Sequence, residues 1–409
     1  MAAKVSAQGN VTVELHKRET SGQGYWGHPG ICTVTFCTGD PKATAEAIRS
    51  KLLAVLNANP WVAGQFERKT LVHPETCSDA LVDEILSVRR CPGVKRTTEY
   101  TKLVKTVAKD PSLAVQGGAA TQKSGARVTK LVVVEPESLG QEFALVFSMS
   151  HVAADGHDYY RIFNMLVGNA AVEAMVAVRV AEFEDREPEW TGPKDFAWLS
   201  GGGLIKGMLS GLLFGPKSKW CCHYVDQAAV SAKKAAAKGQ DGCEFVSTND
   251  VLTSHFCNAS DARVCMMVIN YRGKIALEIG DSHAGCYEGC LLLDAANYST
   301  PNGVRKCLNA GVPFTRQTAS PPLPGFCGKC SMAFITSWAS FPFEVNLPGV
   351  EQVLHLPCMD MPDVMDVAIV FNPQPGRLGM IYMAKRCKGK LTGPDTVLGD
   401  PVSAELFPQ

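Results

Sequence analysis

A histidine and an aspartate are separated by three residues at the end of an apolar run, in the segment LVFSMSHVAADGHDYY (145–160). A histidine with an unperturbed pKa of about 6.5 is mostly neutral near pH 7, so it can take a proton from a hydroxyl or an amine. His151 is therefore a candidate general base. The alternative that this motif alone leaves open is a structural histidine in front of an Asp-Gly turn.

The elements around His151 must hold it at the border of a cleft. The apolar residues before it predict a buried strand, and Asp155 with Gly156 predicts a tight turn. The apolar spacing after the turn predicts a helix. His151 would thus lie at the end of a strand, where a rigid scaffold borders open space.

Composition limits the class of protein. The chain has 409 residues, of which 46% are hydrophobic and 20% charged, and its formal net charge is zero. This length allows two globular domains, and the absence of net positive charge excludes nucleic acid as an expected partner. The N-terminal residues lack the apolar core of a secretory signal, and no charge-free run approaches the roughly 20 residues of a membrane span. We expect a cytoplasmic protein.

The sixteen cysteines are scattered along the chain and do not have the spacing of a disulfide framework. In a reducing compartment they are expected to act as small buried hydrophobic residues. A structural metal bound by Cys286, Cys290, Cys327 and Cys330 is the alternative, although zinc sites usually have tighter pairs. No metal is predicted.

Periodicity predicts an α+β fold with two halves. Residues 1–180 contain strand-like segments and a helix over 42–56, and they end in a long helix that reaches about residue 180. Residues 181–219 are richer in Pro, Gly and charge, which is typical of a connector. Residues 220–409 begin with an Ala-rich helix and a second helix capped by Ser247, followed by β-rich segments.

An apolar, glycine-rich segment, 201–215, lies inside the connector. It is interpreted as a crossover packed over the core. A lid or a membrane-touching patch is the alternative, and the sequence does not decide between them. Membrane contact is not expected.

Six segments occur in an order that resembles the chloramphenicol-acetyltransferase-like acyltransferase superfamily, particularly its BAHD-type members. They are NPWVAGQFE (59–67), SHVAADG (150–156), the helix with Lys233 and Lys234, VSTNDVLTSHF (246–256), NYRGK (270–274) and ITSWASFPFEV (335–345). The DFGWG motif of the BAHD branch is missing, and residues 346–349 stand in its place. The chain is thus similar to a divergent member.

The resemblance implies two similar α+β domains, each a mixed sheet with helices, joined by a long crossover and enclosing a tunnel. It implies acyl transfer from acyl-CoA to a small alcohol or amine, through a ternary complex without a covalent acyl-enzyme. Acyl-CoA would be a co-substrate, with no tightly bound cofactor, and we expect a monomer. Two alternatives remain open: a condensation-type domain that uses a carrier-bound acyl group, and a non-catalytic binding protein of the same fold.

The resemblance also assigns residues around His151. Asp155 would point away from the cleft and form an ion pair with Arg272 of the second domain. The oxyanion of the tetrahedral intermediate would receive hydrogen bonds from the backbone N–H of Gly156, from Ser337 or from the indole N–H of Trp338. A core aromatic residue is the alternative interpretation of Trp338.

The same resemblance implies a binding site for coenzyme A. Lys233 and Lys234 would contact its phosphates, and Ser247 and Thr248 would lie along the pantetheine arm. A lysine pair on an Ala-rich helix can instead be a solvated face, and the basic residues over 385–390 are a rival anion site.

Overall fold

The computed structural model describes the chain except for residues 1–3, 6–8, 22–24, 28, 138–141, 310–313, 315, 317–322, 325–329, 359 and 409. The strands are β1 (Lys4–Val5), β2 (Asn10–Glu14), β3 (Ile31–Thr38), β4 (Gln65–Glu67), β5 (Thr70–Pro74), β6 (Leu86–Arg90), β7 (Thr129–Glu135), β8 (Phe143–Met149), β9 (Lys219–Val225), β10 (Val264–Asn270), β11 (Glu288–Leu293), β12 (Met332–Ser337), β13 (Glu351–Pro357), β14 (Asp366–Gln374), β15 (Arg377–Ala384) and β16 (Leu398–Pro401). The helices are α1 (Lys17–Thr20), α2 (Pro41–Ala58), α3 (Asp79–Ile85), α4 (Tyr100–Lys109), α5 (Gly118–Ser124), α6 (Gly156–Val167), α7 (Glu182–Thr191), α8 (Pro193–Leu199), α9 (Gly202–Phe214), α10 (Gln227–Ala237), α11 (Thr248–Ser260), α12 (Ala295–Tyr298) and α13 (Pro301–Asn309).

The first half is built on a five-stranded sheet with the order β13-β3-β8-β7-β6. Strands β6 and β7 are parallel and the other pairs are antiparallel. Every residue of β8 is buried, as expected for the central strand of a sheet covered on both faces. Helices α2 and α6 pack together beside this sheet, and α6 contacts β8. The strand that leads to His151 is therefore fixed by β3 and β7 at its two edges and by α6.

The second half is built on a seven-stranded sheet with the order β11-β10-β12-β14-β15-β9-β16. Strand β12 runs parallel to both β10 and β14, and the remaining pairs are antiparallel. The capped helix predicted after residue 247 is α11: the Ser247 side chain accepts from the N–H of Asp250, and the Asp250 carboxylate accepts from the N–H of Ser247. Both halves are mixed sheets with helices, so the predicted α+β class is confirmed.

One strand of the second half belongs to the sheet of the first half. Strand β13 pairs antiparallel with β3, with Leu356 opposite Val34. The predicted division of the chain into 1–180, 181–219 and 220–409 does not anticipate that a strand of the last segment joins the sheet of the first. Those boundaries stay a prediction. The two halves are therefore joined by backbone hydrogen bonds as well as by side-chain packing.

The long helix expected to reach residue 180 is shorter. Helix α6 ends at Val167, and Gly168 takes an extended conformation there. Residues 168–181 follow without a helix, although their composition (GNAAVEAMVAVRVA) is apolar. The expectation was wrong because most of this segment is exposed and its backbone groups bond distant residues: Asn59 bonds the carbonyl of Glu173 and the N–H of Met175, and Val176 bonds residues 282 and 284.

The connector folds as three helices, α7, α8 and α9. In α9 one side lies so close to the core that a side chain at Gly207 would meet Met332 and one at Gly211 would meet the carbonyl of Val364. The other side exposes Leu212 and Leu213, at 60% and 69%. In the described part of the chain no single helix has the length and composition to cross a membrane; α8 and α9, bent by 47°, pass that test only as a pair.

One cysteine pair differs from the expectation. Cys257 of α11 and Cys265 of β10 form a disulfide. The chain reverses at Asp261, which has a left-handed conformation, and this brings the two Cα atoms within 6.3 Å. The prediction of unpaired cysteines is wrong for these two, because their proximity depends on how the helix returns to the strand.

Candidate active site

His151 lies just after the end of β8, in the turn that leads into α6. The backbone N–H of Ser150 donates to the carbonyl of Val128, and the N–H of Ala153 donates back to Ser150, which fixes this turn. The imidazole stacks on the ring of Tyr25, with centroids 4.4 Å apart, and its side chain is 16% exposed. His151 is thus nearly buried yet reachable, as a general base must be.

Asp155 acts as the cap of α6. Its carboxylate accepts from the backbone N–H groups of His157 (3.0 Å) and Asp158 (3.2 Å), and its other oxygen accepts from the N–H of Tyr287 (3.2 Å). Local capping of this kind is why an aspartate in front of Gly156 starts a helix. None of these bonds reaches the imidazole of His151, so Asp155 supports the turn and does not orient the histidine.

The Asp155 carboxylate also meets Arg272, as expected. Nη1 of Arg272 donates to Oδ2 of Asp155 at 2.6 Å, while Nη2 donates to Asp158 at 2.9 Å and to the carbonyl of Gly285 at 2.9 Å. Burial acts to raise the pKa of Asp155, but the charge of Arg272 and its hydrogen bonds hold the pKa below its usual value. The structure therefore contains the expected pair and a second carboxyl group, Asp158, which no sequence pattern had indicated.

The surroundings of His151 favour its neutral form. Burial lowers the pKa of the imidazole, and the charge of Arg18 acts in the same direction. The thiol of Cys286 donates to the His151 carbonyl at 2.9 Å, and burial raises the pKa of this thiol well above its usual value. Burial therefore favours the protonated form of Cys286, whose Sγ lies 3.9 Å from Nδ1 of His151.

Glu288 was not anticipated. It begins β11, and its Oε1 lies 3.5 Å from Nε2 of His151 and accepts from the hydroxyl of Tyr25 at 3.1 Å. Burial and the neighbouring Asp155 raise the pKa of Glu288 to about 7. A lone glutamate within the apolar segment 284–293 was a signal in the sequence, but nothing local connected it with His151.

Two hollows open near these residues, and Asp155 and Glu288 line the smaller one, whereas His151 lines neither. The smaller, of about 40 Å³, is lined by Asp155, Gly156, His157, Val268, Asn270, Glu288, Thr336, Ser337, Trp338 and Phe341. All three expected oxyanion donors are therefore on its wall. The indole Nε1 of Trp338 lies 3.5 Å from the position that a Cβ on Gly156 would take, and Trp338 is also part of the core, since it is only 7% exposed.

The larger hollow has a volume of about 610 Å³. Lys234, Ser247 and Thr248 line it, and so does Ser337, which it shares with the smaller hollow. Nζ of Lys234 is 3.4 Å from the hydroxyl of Thr248. Lys233 is not on this wall, so the structure groups three of the four residues expected to bind coenzyme A.

The rival basic cluster is partly neutralised. Lys385 is 5% exposed and its Nζ donates to the Asp363 carboxylate at 2.9 Å. A buried lysine with a carboxylate partner is not available to an anion. The larger hollow is the better candidate for a phosphate-bearing substrate.

The alternative of a metal bound by Cys286, Cys290, Cys327 and Cys330 stays untested. Cys286, Cys290 and Cys330 are free, and Cys327 lies outside the described residues. Within the described chain, one group of three metal-type ligands lies close together: Asp155, His157 and Asp158. The guanidinium of Arg272 already supplies the positive charge at that group.

Comparison with known proteins gives the fold. No family model matches the chain, and no curated protein matches it by sequence. Among solved structures, TRI101 of F. sporotrichioides complexed with coenzyme A and T-2 is similar with a TM-score of 0.59 and 14% identity, over 93% of this chain and 96% of that one. Polyketide synthase associated protein 5 from Mycobacterium tuberculosis is similar with a TM-score of 0.56 and 13% identity, over 91% and 92% of the two chains. The condensation domain of the Monacolin K polyketide synthase MokA is similar with a TM-score of 0.54 and 12% identity, over 95% of this chain and 93% of that one.

These similarities extend over nearly the whole chain, so both halves are included. The chain therefore has the two-domain chloramphenicol-acetyltransferase-like fold that the order of its segments predicted. At these levels of identity the likeness concerns the fold, and the chemistry has to be argued from the site.

Proposed function

We propose that this protein is an acyl-CoA-dependent O- or N-acyltransferase in which His151 is the general base, in a tunnel between the two domains. The observation that carries the proposal is the position of His151. It follows a buried strand and lies 3.5 Å from Glu288, which lines the smaller hollow. That hollow shares Ser337 with the larger one, and its wall includes Asp155 of the ion pair that joins the two halves. The coarser statement, an acyltransferase fold, is supported by the solved structures described above.

In the proposed reaction His151 takes a proton from the acceptor as the acceptor attacks the thioester carbonyl. Its lowered pKa keeps the imidazole neutral near pH 7, so that it can accept a proton. The protonated imidazole would then give the proton to the leaving thiolate of coenzyme A. Both substrates are bound together, so no covalent acyl-enzyme is needed.

The negative oxygen that forms during attack needs donors in a water-poor site. The backbone N–H of Gly156 is suited to this, because the first N–H groups of a helix have no partner within the helix. The hydroxyl of Ser337 and the indole of Trp338 lie on the same wall. We infer that one or more of these three groups receives the oxygen.

The acyl donor would occupy the larger hollow. Lys234 would contact a phosphate group of coenzyme A as a point charge, and Lys233 on the same helix would add to the local positive field. Ser247 and Thr248 would hydrogen-bond the pantetheine arm. A small alcohol or amine would enter from the side of the smaller hollow. The expected cytoplasmic location and monomeric state remain predictions.

The test is acyl transfer itself. The protein is incubated with a panel of acyl-CoAs and a crude metabolite extract, and release of free thiol is compared with and without the extract. His151→Ala should abolish the extract-dependent release, while His73→Ala, a histidine of β5 that binds only a neighbouring carbonyl, should not. Transfer that survives in His151→Ala would refute the proposed mechanism.

A further inference from the structure

The carboxyl group of Glu288 has a position that the proposed mechanism does not use. Its Oε1 is 3.5 Å from Nε2 of His151, the atom proposed to take the proton from the acceptor. This separation exceeds a normal hydrogen bond, so the two groups are neighbours without being bound to each other. Glu288 also lines the smaller hollow, where the acceptor would lie.

The arginines near Glu288 are engaged elsewhere. Arg18 pairs with Glu187 at 2.8 Å and donates to the backbone carbonyl of Glu288, not to its carboxylate. Arg272 pairs with two other carboxyl groups, as described above. Among the described residues no lysine or arginine forms an ion pair with the Glu288 carboxylate, whose close contacts are Tyr25 and His151.

Two proton acceptors therefore face one point of attack. A hydroxyl carries a single hydrogen and can bond only one of them. If it donates to His151, the buried Glu288 carboxylate keeps one neutral partner, the Tyr25 hydroxyl, and gains no opposite charge, which is costly. A primary amine carries two hydrogens when neutral and three when charged, and it can bond both. On the basis of the proposed acyl transfer, we propose that the acceptor is a primary amine, held between His151 and Glu288, and that the product is an amide.

The proton balance agrees with this assignment. An alkylammonium acceptor loses two protons when it becomes an amide, whereas an alcohol that becomes an ester loses one. In the amine reaction Glu288 takes the first proton, which frees the lone pair for attack on the thioester carbon. His151 takes the second as the C–N bond forms and passes it to the thiolate as the C–S bond breaks. Glu288 then releases its proton to water.

The acidities of the two groups suit these steps. Burial raises the pKa of Glu288 to about 7, whereas burial lowers that of His151, so both can accept a proton near neutral pH. A desolvated ammonium has a lowered pKa as well, which eases its transfer to a carboxylate. The charged and titratable groups around Glu288 are Arg18, Tyr25, His151, Asp155, Tyr271, Arg272, Cys286 and Cys290.

The experiment identifies the class of product even while the natural acceptor is unidentified. Isotope-labelled acyl-CoA is incubated with the full-length protein and a metabolite extract, and labelled products are sorted by mild alkali, which cleaves esters and leaves amides intact. Matched pairs, such as benzylamine with benzyl alcohol and putrescine with 1,4-butanediol, are then compared by thiol release. We expect alkali-resistant products and a preference for the amine of each pair.

Glu288→Gln keeps the size of the side chain and a carbonyl that can accept from Tyr25, but it cannot take a proton at neutral pH. It should lower kcat/KM for the amine about 100-fold, at the lower end of what a proton-transferring group supplies, and change the alcohol reaction much less. Glu173→Gln removes an exposed carboxylate that pairs with Arg161 and should leave the amine preference unchanged. Glu288→Asp should recover part of the amine activity.

The outcomes separate this inference from the proposed function. Ester products formed as readily as amides by the unaltered protein would overturn the amine assignment and leave the acyltransferase proposal standing. Equal losses for amine and alcohol in Glu288→Gln would also overturn it, because they would give Glu288 a merely structural role. Absence of any labelled product would refute the proposed function and the inference together.

Discussion

The cluster of Arg272, Asp155 and Asp158 gives the sharpest prediction about stability. The side chains of Arg272 and Asp158 are fully buried and that of Asp155 is 2% exposed. Removal of one partner from a buried ion pair costs about 3–5 kcal/mol, because the remaining charge is stranded. The three members are not equivalent, however, since one guanidinium serves two carboxyl groups.

Arg272→Met should therefore be the most damaging change, with a loss of at least about 3–5 kcal/mol in the free energy of unfolding. Asp155→Asn leaves Arg272 paired with Asp158, and its amide oxygen can still accept from the first N–H groups of α6. Its cost should be smaller, about 1–3 kcal/mol, as for a weakened buried hydrogen bond. Asp155→Ala also loses the cap and should cost about 1 kcal/mol more.

Urea unfolding of the wild type, Arg272→Met, Asp155→Asn and the double variant completes a cycle. The coupling energy should exceed about 0.5 kcal/mol, the limit within which independent sites add. The slope of the free energy with urea must stay constant across the set for the comparison to hold. Strict additivity, or equal costs for Arg272→Met and Asp155→Asn, would refute this account of one arginine shared by two carboxyl groups.

Three further outcomes are expected. His151→Ala should retain its fold and lose at least about 10²–10⁴-fold in acyl transfer. With an alcohol acceptor the wild-type rate should rise with pH through an apparent pKa below 6.5, and a midpoint above that value would contradict the burial argument; with an amine acceptor, Glu288, whose pKa is about 7, should set the rise instead. Replacement of Lys233 and Lys234 by Glu should raise KM for acyl-CoA, most strongly at low salt, and should change turnover at saturation little. An unchanged KM, together with a preference for a carrier-bound acyl group, would favour the condensation-type alternative. Burial acts to raise the pKa of Glu19, but Arg179 at 3.1 Å holds this pKa below 4.5. The stability that Glu19 contributes is therefore present above pH 4.5 and is lost as the pH falls through the lowered pKa. Glu19→Gln should remove that part of the acid sensitivity, as followed by thermal unfolding across pH.

Local interactions explain which parts of the site could be predicted. Asp155 caps α6 through N–H groups two and three residues ahead, and Ser247 caps α11 in the same way. Such bonds depend only on the residues at one helix start. The cap at Ser247 was predicted, whereas a tight turn was predicted at Asp155 and Gly156, where the structure has a helix cap instead. The end of α6 at Val167 was not predicted, because residues 168–181 are apolar in sequence, whereas their conformation depends on backbone hydrogen bonds to distant residues such as Asn59 and Ser282.

By itself, the sequence determined the α+β class, the place of His151 between a strand and a helix, and the candidates around it, since these follow from periodicity and from short-range hydrogen bonds. The tertiary structure decided which distant residues meet. Asp155 and Arg272 are 117 positions apart, and only the resemblance to the acyltransferase superfamily predicted their pairing. No sequence pattern indicated that Asp158 bonds the same arginine. Glu288 reached His151 only because β11 lies at the edge of the second sheet and faces the turn of the first. Its contact is set by the packing of two domains, and no local pattern in either segment records it.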